Sequence, residues 1–351
     1  LNYFFLMDLF GNVPLVLEDS GIGSFVPEQV TRAALFEWLE TELKACEGKL
    51  PPKNMENYGK VNDPTVWMIL AKMYLNAEVY ANANRYTDCI TYLNKILNAG
   101  IPLDGTYKNM FGADNHLSAE IIFPVTFDGK FATTYGGTTY LMAAAYASDM
   151  NPGNTFGLSQ SWSGVRALES LTNLFDENDE RALFWTEDRT KEVTQWTDFK
   201  AGWSVIKYTN LNSDGTPGSD NQFADTDYPI FRLADAYLMY AEAVLRGGQG
   251  GTKSQGLEYV NALRRRAGVA EISDSQLTLD FIFDERAREL YWEGHRRTDL
   301  IRFDRFTRNY AWPWKNGVQA GTTNVDNKYK LFPIPAVELA ANPAINQNPG
   351  Y

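Results

Sequence analysis

Asp63-Pro-Thr-Val-Trp67-Met-Ile-Leu70-Ala71-Lys-Met-Tyr74-Leu75 is the stretch on which the architecture turns. Asp63 followed by Pro64 reads as a helix N-cap with proline at the first helical position, where a missing N–H costs nothing. Behind it Trp67, Leu70, Ala71 and Tyr74 recur at helical spacing, with Ala71 small enough to let a second helix approach. That second helix is expected after a turn at Asn82 to Arg85: Cys89, Leu93 and Ile96 form its apolar face, and Gly100 and Pro102 close the unit.

The spacing of the first helix, with small and large residues alternating on its partner, matches the helix pair of a tetratricopeptide repeat. A second pair is predicted near the C-terminus, with Tyr237, Tyr240, Ala241 and Val244 on one face, Gly256, Val260 and Leu263 on the next, and Gly247 to Gly251 as the turn between. Two further amphipathic helices are predicted within Pro27 to Leu50 and over Leu279 to Trp292. Between the helical blocks the pattern changes to short β-like runs, Glu120 to Phe127 and Trp203 to Tyr208, separated by Gly, Asn, Thr and Asp. The chain therefore reads as one mainly α-helical domain, 1–351, with a helical scaffold over 1–116 and 229–351. A loop-rich insertion with short β-strands, 117–228, carries the ligand face, because loops on a rigid frame are the usual place for recognition.

Composition narrows the function. The chain has 351 residues, a size that permits a large core, and its 44% hydrophobic and 22% charged residues are those of a globular protein. A net charge of -12 repels duplex DNA. Two cysteines, Cys46 and Cys89, cannot build a zinc ribbon or a disulfide framework and are read as fillers of small apolar gaps beside helices. With only His116 and His295, metalloprotease motifs are excluded and candidate bases for a hydrolase triad are scarce. No apolar run is long enough to span a membrane. The chain opens at Leu1 inside the apolar pattern Tyr3, Phe4, Phe5, Leu6, Leu9, Phe10 and reads as a fragment or processed form, so missing targeting signals prove nothing.

Several motifs dissolve on inspection. Gly247 to Ser254 superficially suggests a phosphate loop but follows a helix and has Thr252 before Lys253, which makes it an interhelical turn. Gly157-Leu-Ser-Gln-Ser161 lacks the final glycine of a nucleophile elbow. Carboxylates at Glu285 and Glu289, with Arg288 and Arg296, are read as ion pairs along and between helices over buried Ile282, Leu290, Tyr291 and Leu300, in preference to a glycosidase pair. Asp214, Asp220, Asp225 and Asp227 lack the order of an EF-hand loop. What remains is an aromatic surplus in the insertion: Tyr135, Tyr140, Tyr146, Trp162, Trp185, Trp196 and Trp203. Sugar rings stack on indole and phenol faces while neighbouring polar groups bond the hydroxyls; the bland alternative for each Trp is that it plugs a satellite core.

Leu6-Met-Asp-Leu-Phe-Gly-Asn-Val-Pro-Leu15, Phe231-Arg-Leu-Ala-Asp-Ala-Tyr-Leu-Met-Tyr-Ala-Glu-Ala243 and Glu285-Arg-Ala-Arg-Glu-Leu-Tyr-Trp-Glu-Gly-His-Arg-Arg-Thr-Asp-Leu-Ile-Arg-Phe303 closely resemble the SusD/RagB family. Leu331-Phe-Pro-Ile-Pro335 and Asn348-Pro-Gly-Tyr351 are similar to that family's C-terminus. The resemblance implies a glycan-binding lipoprotein on the outer-membrane surface of Bacteroidetes. Such a protein is built on tetratricopeptide-like helix pairs, acts as the lid of a SusC-like TonB-dependent transporter, and captures oligosaccharides without cleaving them. Family members carry a signal peptide, a lipidated Cys and an opening helical region before the motif found here at Leu6, so membrane attachment would be through an anchor absent from this chain.

On this reading the expected ligand is an oligosaccharide or polysaccharide. Tyr135 and Trp162 lie in a segment similar to the family's glycan-facing loops; with Tyr140 and Trp196 they form the expected stacking set, and Asn151 or Arg166 donates hydrogen bonds. No cofactor is required. Some family members bind calcium through loop aspartates, and Asp128, Asp225 and Asp227 are the candidates here. The alternatives are a peptide- or glycopeptide-binding member of the family, a repeat scaffold that binds only protein, and a glycoside hydrolase.

Overall fold

The structure is a computed structural model that describes residues 1–18, 20 and 26–351. Along the chain lie α1 (Asn2–Phe10), β1 (Val13–Pro14), β2 (Gln29–Val30), α2 (Arg32–Cys46), α3 (Asp63–Leu75), α4 (Ala77–Ala81) and α5 (Tyr86–Leu97). The insertion contributes β3 (Ile121–Val125), α6 (Gly137–Ala145), α7 (Pro152–Phe156), α8 (Glu169–Thr172), β4 (Phe184–Trp185) and β5 (Ser204–Val205). The chain returns through β6 (Tyr228–Arg232) to α9 (Leu233–Leu245), α10 (Lys253–Arg266), α11 (Leu279–Leu290), α12 (Arg296–Arg302) and α13 (Ala336–Ala341).

The expected helix pairs are present. Helix α3 packs on α5 and α9 on α10, while α5 and α9 join the two pairs and α11 lies against α9. Because α3 meets α2, α5 and α9, it is buried nearly all round, including Met68, Leu70, Ala71, Met73 and Tyr74. In the second pair Gly256 permits the close approach: a Cβ there would stand 3.1 Å from the Ala241 Cα on α9. The start of α3 is displaced by one residue from the sequence reading. Asn62 is the N-cap, its Oδ1 accepting the Thr65 N–H at 3.0 Å, whereas the Asp63 carboxylate accepts the Gly48 N–H at 3.0 Å from the turn after α2. Cys89 is buried as expected, but Cys46 is exposed at the end of α2 and fills no gap.

The insertion is sewn to the scaffold at its two ends. Strands β3 and β6 pair antiparallel, with Ile121 opposite Arg232 and Val125 opposite Tyr228, across a bulged register. The run Trp203 to Tyr208 shortens to β5, paired with β4. A separate apolar core lies under the insertion, built from residues such as Tyr107, Phe111, Met142, Tyr146, Phe156 and Tyr208.

Ion pairs hold the charged face of α11, as the spacing suggested, but they are buried and, apart from the i,i+3 pair of Glu285 and Arg288, reach to other elements. Glu285 meets Arg181 at 2.7 Å and Arg288 at 2.6 Å; Glu289 meets Arg232 at 2.6 Å and also Arg266; Glu293 meets Arg232 and Lys207, each at 2.6 Å. Arg296 departs from the reading: its guanidinium lies 3.7 Å from the Phe283 ring centroid and has no carboxylate partner among the described residues.

Candidate functional site: an aromatic platform beside an acidic hollow

Tyr135 and Tyr140 flank the start of α6, and Gly137 makes the tight entry possible. Its φ is +55°, and a Cβ there would stand 2.1 Å from the Phe127 ring. After α7 the chain runs back along the end of α6. Trp162 donates its N–H to the Ala143 carbonyl at 2.7 Å, Ser163 to Tyr146 at 2.9 Å and Gly164 to Ala144 at 2.8 Å. These backbone bonds bring the Trp162 ring to 5.9 Å from Tyr140 and 6.3 Å from Tyr135, centroid to centroid.

A third segment completes the platform. Phe223 packs 5.0 Å from Tyr135, and Gln222 donates its side-chain N–H to the Tyr135 hydroxyl. That loop is tied down by the Ala224 N–H to Thr139 Oγ1 at 3.0 Å and by the Thr138 hydroxyl to the Thr226 carbonyl at 2.6 Å. The platform is presented to solvent: Tyr135 is 52% exposed, Tyr140 49% and Trp162 41%. Large aromatic area in the open is the unusual feature, since burial is the default for such side chains.

Other members of the aromatic surplus go elsewhere. Tyr146 is fully buried, stacks on Phe156 and donates its hydroxyl to the Tyr208 carbonyl at 2.7 Å. Trp185 packs edge-on to Phe156 and with Tyr146 belongs to the satellite core, while Trp203 lies beside Phe184, away from the platform rings. Arg166 and Trp196 form a group of their own: Arg166 Nη2 donates to the Trp196 carbonyl at 2.9 Å, its guanidinium lies 4.9 Å from the Phe199 ring, and the Trp196 side chain is 65% exposed. Asn151 has left-handed backbone at the N-cap of α7, and its Oδ1 accepts from Asn154 Nδ2 at 3.2 Å within its own turn. Phe223 and Gln222 were not singled out from sequence. The available signal was an aromatic residue in the Gly/Ser/Asp-rich stretch 213–227.

Beside the platform, between the loops that carry Tyr135 and Phe223, lies a hollow of about 770 Å³ lined by Tyr58, His116, Asp128, Ser219, Asp225 and Asp227 among others. All three candidate calcium ligands face it, but their oxygens serve the loops. Asp128 Oδ1 accepts the N–H groups of Lys130 and Phe131 at 2.8 and 2.7 Å, which hold its carboxyl below the usual range. Asp225 accepts from the Gly129 N–H at 2.7 Å and from both the backbone N–H and the hydroxyl of Ser219. Asp227 accepts from the Tyr58 hydroxyl at 2.6 Å and the Phe127 N–H at 2.8 Å; burial raises its pKa against the pull of the Tyr58 bond. A calcium cage needs converging oxygen ligands, and no three His, Cys, Asp or Glu side chains converge in that way among the described residues. What the hollow offers is a row of acceptors with spare lone pairs and hydroxyl donors nearby, suited to polyhydroxylated ligands.

Comparison with known proteins gives a consistent set of matches. The family model described as the SusD family matches residues 146–351. Over its whole length the chain is 30% identical to the starch-binding protein SusD of Bacteroides thetaiotaomicron, covering 71% of that protein. Among solved structures it is similar to surface glycan-binding protein A from Bacteroides thetaiotaomicron, with a TM-score of 0.78 and 24% identity over 99% of this chain and 75% of the other. The same protein in complex with laminarihexaose matches with a TM-score of 0.75 and 23% identity, over the same shares of the two chains. At these identities the structural matches speak for the fold.

Proposed function

The chain belongs to the SusD family, and from that premise we propose that it is a cell-surface glycan-binding protein that captures oligosaccharide or polysaccharide for import through a SusC-like TonB-dependent transporter at the outer membrane. The observation that carries this reading is the exposed platform of Tyr135, Tyr140 and Trp162, backed by half-buried Phe223 and set beside the hollow of Asp225, Asp227 and Tyr58. Rings at differing tilts give a curved apolar surface for the C–H faces of successive sugars, while the hollow supplies acceptors for hydroxyls that turn away from the stack. Starch binding by the relative named above, and laminarihexaose binding by the structural neighbour, point to glucans as the first ligands to try.

Capture without cleavage is favoured by how the carboxylates are used. A glycosidase needs one carboxyl to donate a proton to the leaving oxygen. Asp227 accepts hydrogen bonds on both of its oxygens, and Glu285 and Glu289 are sealed in the ionic core. The test is native electrophoresis through gels containing starch, laminarin or other polysaccharides, comparing the wild type with Trp162→Ala. Retardation that the substitution clearly reduces supports the reading. Free migration of the wild type through every polymer sinks it and moves the search to peptides.

A further inference from the structure

Three arginines of this chain lack a carboxylate partner among the described residues: Arg166, Arg296 and Arg297. Every other arginine has a carboxylate oxygen within 4.0 Å. All three unpaired residues line one cavity of about 420 Å³ whose walls are otherwise largely apolar, among them Leu171, Leu290 and Trp312.

Only neutral groups hold these cations. Arg166 donates to the Trp196 carbonyl at 2.9 Å, Arg296 to the Phe283 carbonyl at 2.8 Å and Arg297 to the Lys330 carbonyl at 2.7 Å. Arg166 Nε and Arg297 Nη1 are buried and have no hydrogen-bond partner at all. Burial lowers the pKa of each guanidinium, the mark of positive charge withdrawn from water without full compensation. The one carboxylate on the cavity wall, Asp299, is already claimed by Arg286 at 2.9 Å and Arg302 at 2.7 Å. Asp198 near Arg166, Asp284 near Arg296 and Asp8 near Arg297 act only from beyond ion-pair distance, so in a protein of net charge -12 three directly unpaired cations line one largely apolar cavity.

We infer that this cavity binds a small amphipathic anion, with an aromatic or short aliphatic body against the leucine and tryptophan walls and a carboxylate drawn by the positive charge that Arg166, Arg296 and Arg297 place along those walls. A sugar is the wrong shape of chemistry for it, since hydroxyls on every side would find too few polar partners on these walls. The site is therefore separate from the platform and independent of the glycan-binding reading.

The probes are 2-naphthoate, its neutral relative 2-naphthylmethanol, and glucuronate, which carries the charge without the apolar body. Binding is followed by titration calorimetry and by quenching of tryptophan fluorescence. The expected result is saturable binding of 2-naphthoate, roughly tenfold or more tighter than the alcohol, the gain of hydrogen bonds to a charged group, with no measurable glucuronate binding. Arg297→Gln should weaken naphthoate by about the same factor. Leu171→Phe, which fills the cavity without touching a charge, should weaken it too, with the circular dichroism spectrum and glycan retardation of the wild type retained. Equal affinity for the alcohol, binding of glucuronate as tight as naphthoate, no naphthoate binding, or naphthoate binding indifferent to Leu171→Phe in a folded variant would each overturn the inference.

Discussion

Replacing His295 with asparagine should flatten the dependence of stability on pH between about 7 and 5. The imidazole is half-buried at the wall of a cleft, with Nδ1 3.3 Å from Lys72 Nζ, which also binds the Asp235 carboxylate. Burial and then the Lys72 charge hold its pKa down, to about 4; Asp235 and Glu293 pull it upward, and Arg286 pushes it down further. In the unfolded chain the ring takes up its proton near 6.5. Between those two values the unfolded state binds more protons than the folded one, so stability rises with pH there and is lost as pH falls below 6.5. With pKa values of 6.5 and about 4, the loss at pH 5 is at most about 2 kcal/mol. Carboxylates held down in the fold, such as Glu40 at about 2, lose stability at lower pH, but they do so equally in both proteins and cancel in the comparison. Asparagine keeps an acceptor facing Lys72 while removing the titration. Urea unfolding of both proteins at about pH 7 and pH 5 gives the double difference. If wild type and variant lose the same stability between the two, the ring titrates normally in the fold and the reasoning is wrong.

Trp162→Ala should weaken glycan binding by about 1–2 kcal/mol, roughly 5- to 30-fold by titration, as expected for one exposed stacking ring. Tyr146→Phe should leave binding intact and cost about 1 kcal/mol of stability, because that hydroxyl serves only the Tyr208 carbonyl; a binding defect would refute the placement of Tyr146 in the core and away from the ligand. Glu289→Gln leaves the charges of Arg181, Arg232 and Arg266 under-compensated in a buried setting and should destabilise by about 3–5 kcal/mol in denaturant titration; a loss below about 1 kcal/mol would mean water reaches the knot. A chelator should leave the melting temperature unchanged, since main-chain and hydroxyl donors already satisfy Asp225 and Asp227; a several-degree rise on adding calcium would contradict that account.

The helical scaffold was legible because its information is local. Trp67, Leu70, Ala71 and Tyr74 on one helix, and Gly256 on another, report burial through spacing alone, and the cap of α3 misses by a residue because two capping-type side chains stand side by side: Asn62 takes the Thr65 N–H, while Asp63 turns to the Gly48 N–H. Strand β6 was hidden because Tyr228–Arg232 runs straight into α9 with no turn residue between. The site was legible only in part. Tyr135, Tyr140 and Trp162 stand in loop-like sequence and so does Tyr146, yet Tyr146 is drawn inside by a carbonyl 62 residues away. Nothing in the local pattern separates a ring that stacks on a ligand from one that plugs a core. Phe223 joins the platform through the same kind of distant contact, 88 residues from Tyr135 in sequence.

The charged stripe on α11 explains how such a loop site can be held in place. Glu285 and Glu289, with Glu293 just beyond the helix, repeat at intervals of one turn, a spacing visible in the sequence. Some of their partners are local or on α10, such as Arg288 and Arg266, but three come from the insertion and its return strand: Arg181, Lys207 and Arg232. Buried ion pairs contribute little net stability compared with an apolar contact of equal volume, because desolvation offsets most of the attraction. Their geometry is nevertheless demanding. Arg232 must meet Glu120, Glu289 and Glu293 at once, and a shift of the insertion along α11 would strand several charges together. A slide by one turn would unpair these charges together, so the interface has a single register. The aromatic platform rides on that register. Thr138 at the base of α6 bonds the Thr226 carbonyl, two residues before β6 begins, and β6 ends at Arg232 in the knot. The position of the platform rings thus traces back, through one strand, to carboxylates spaced one helical turn apart.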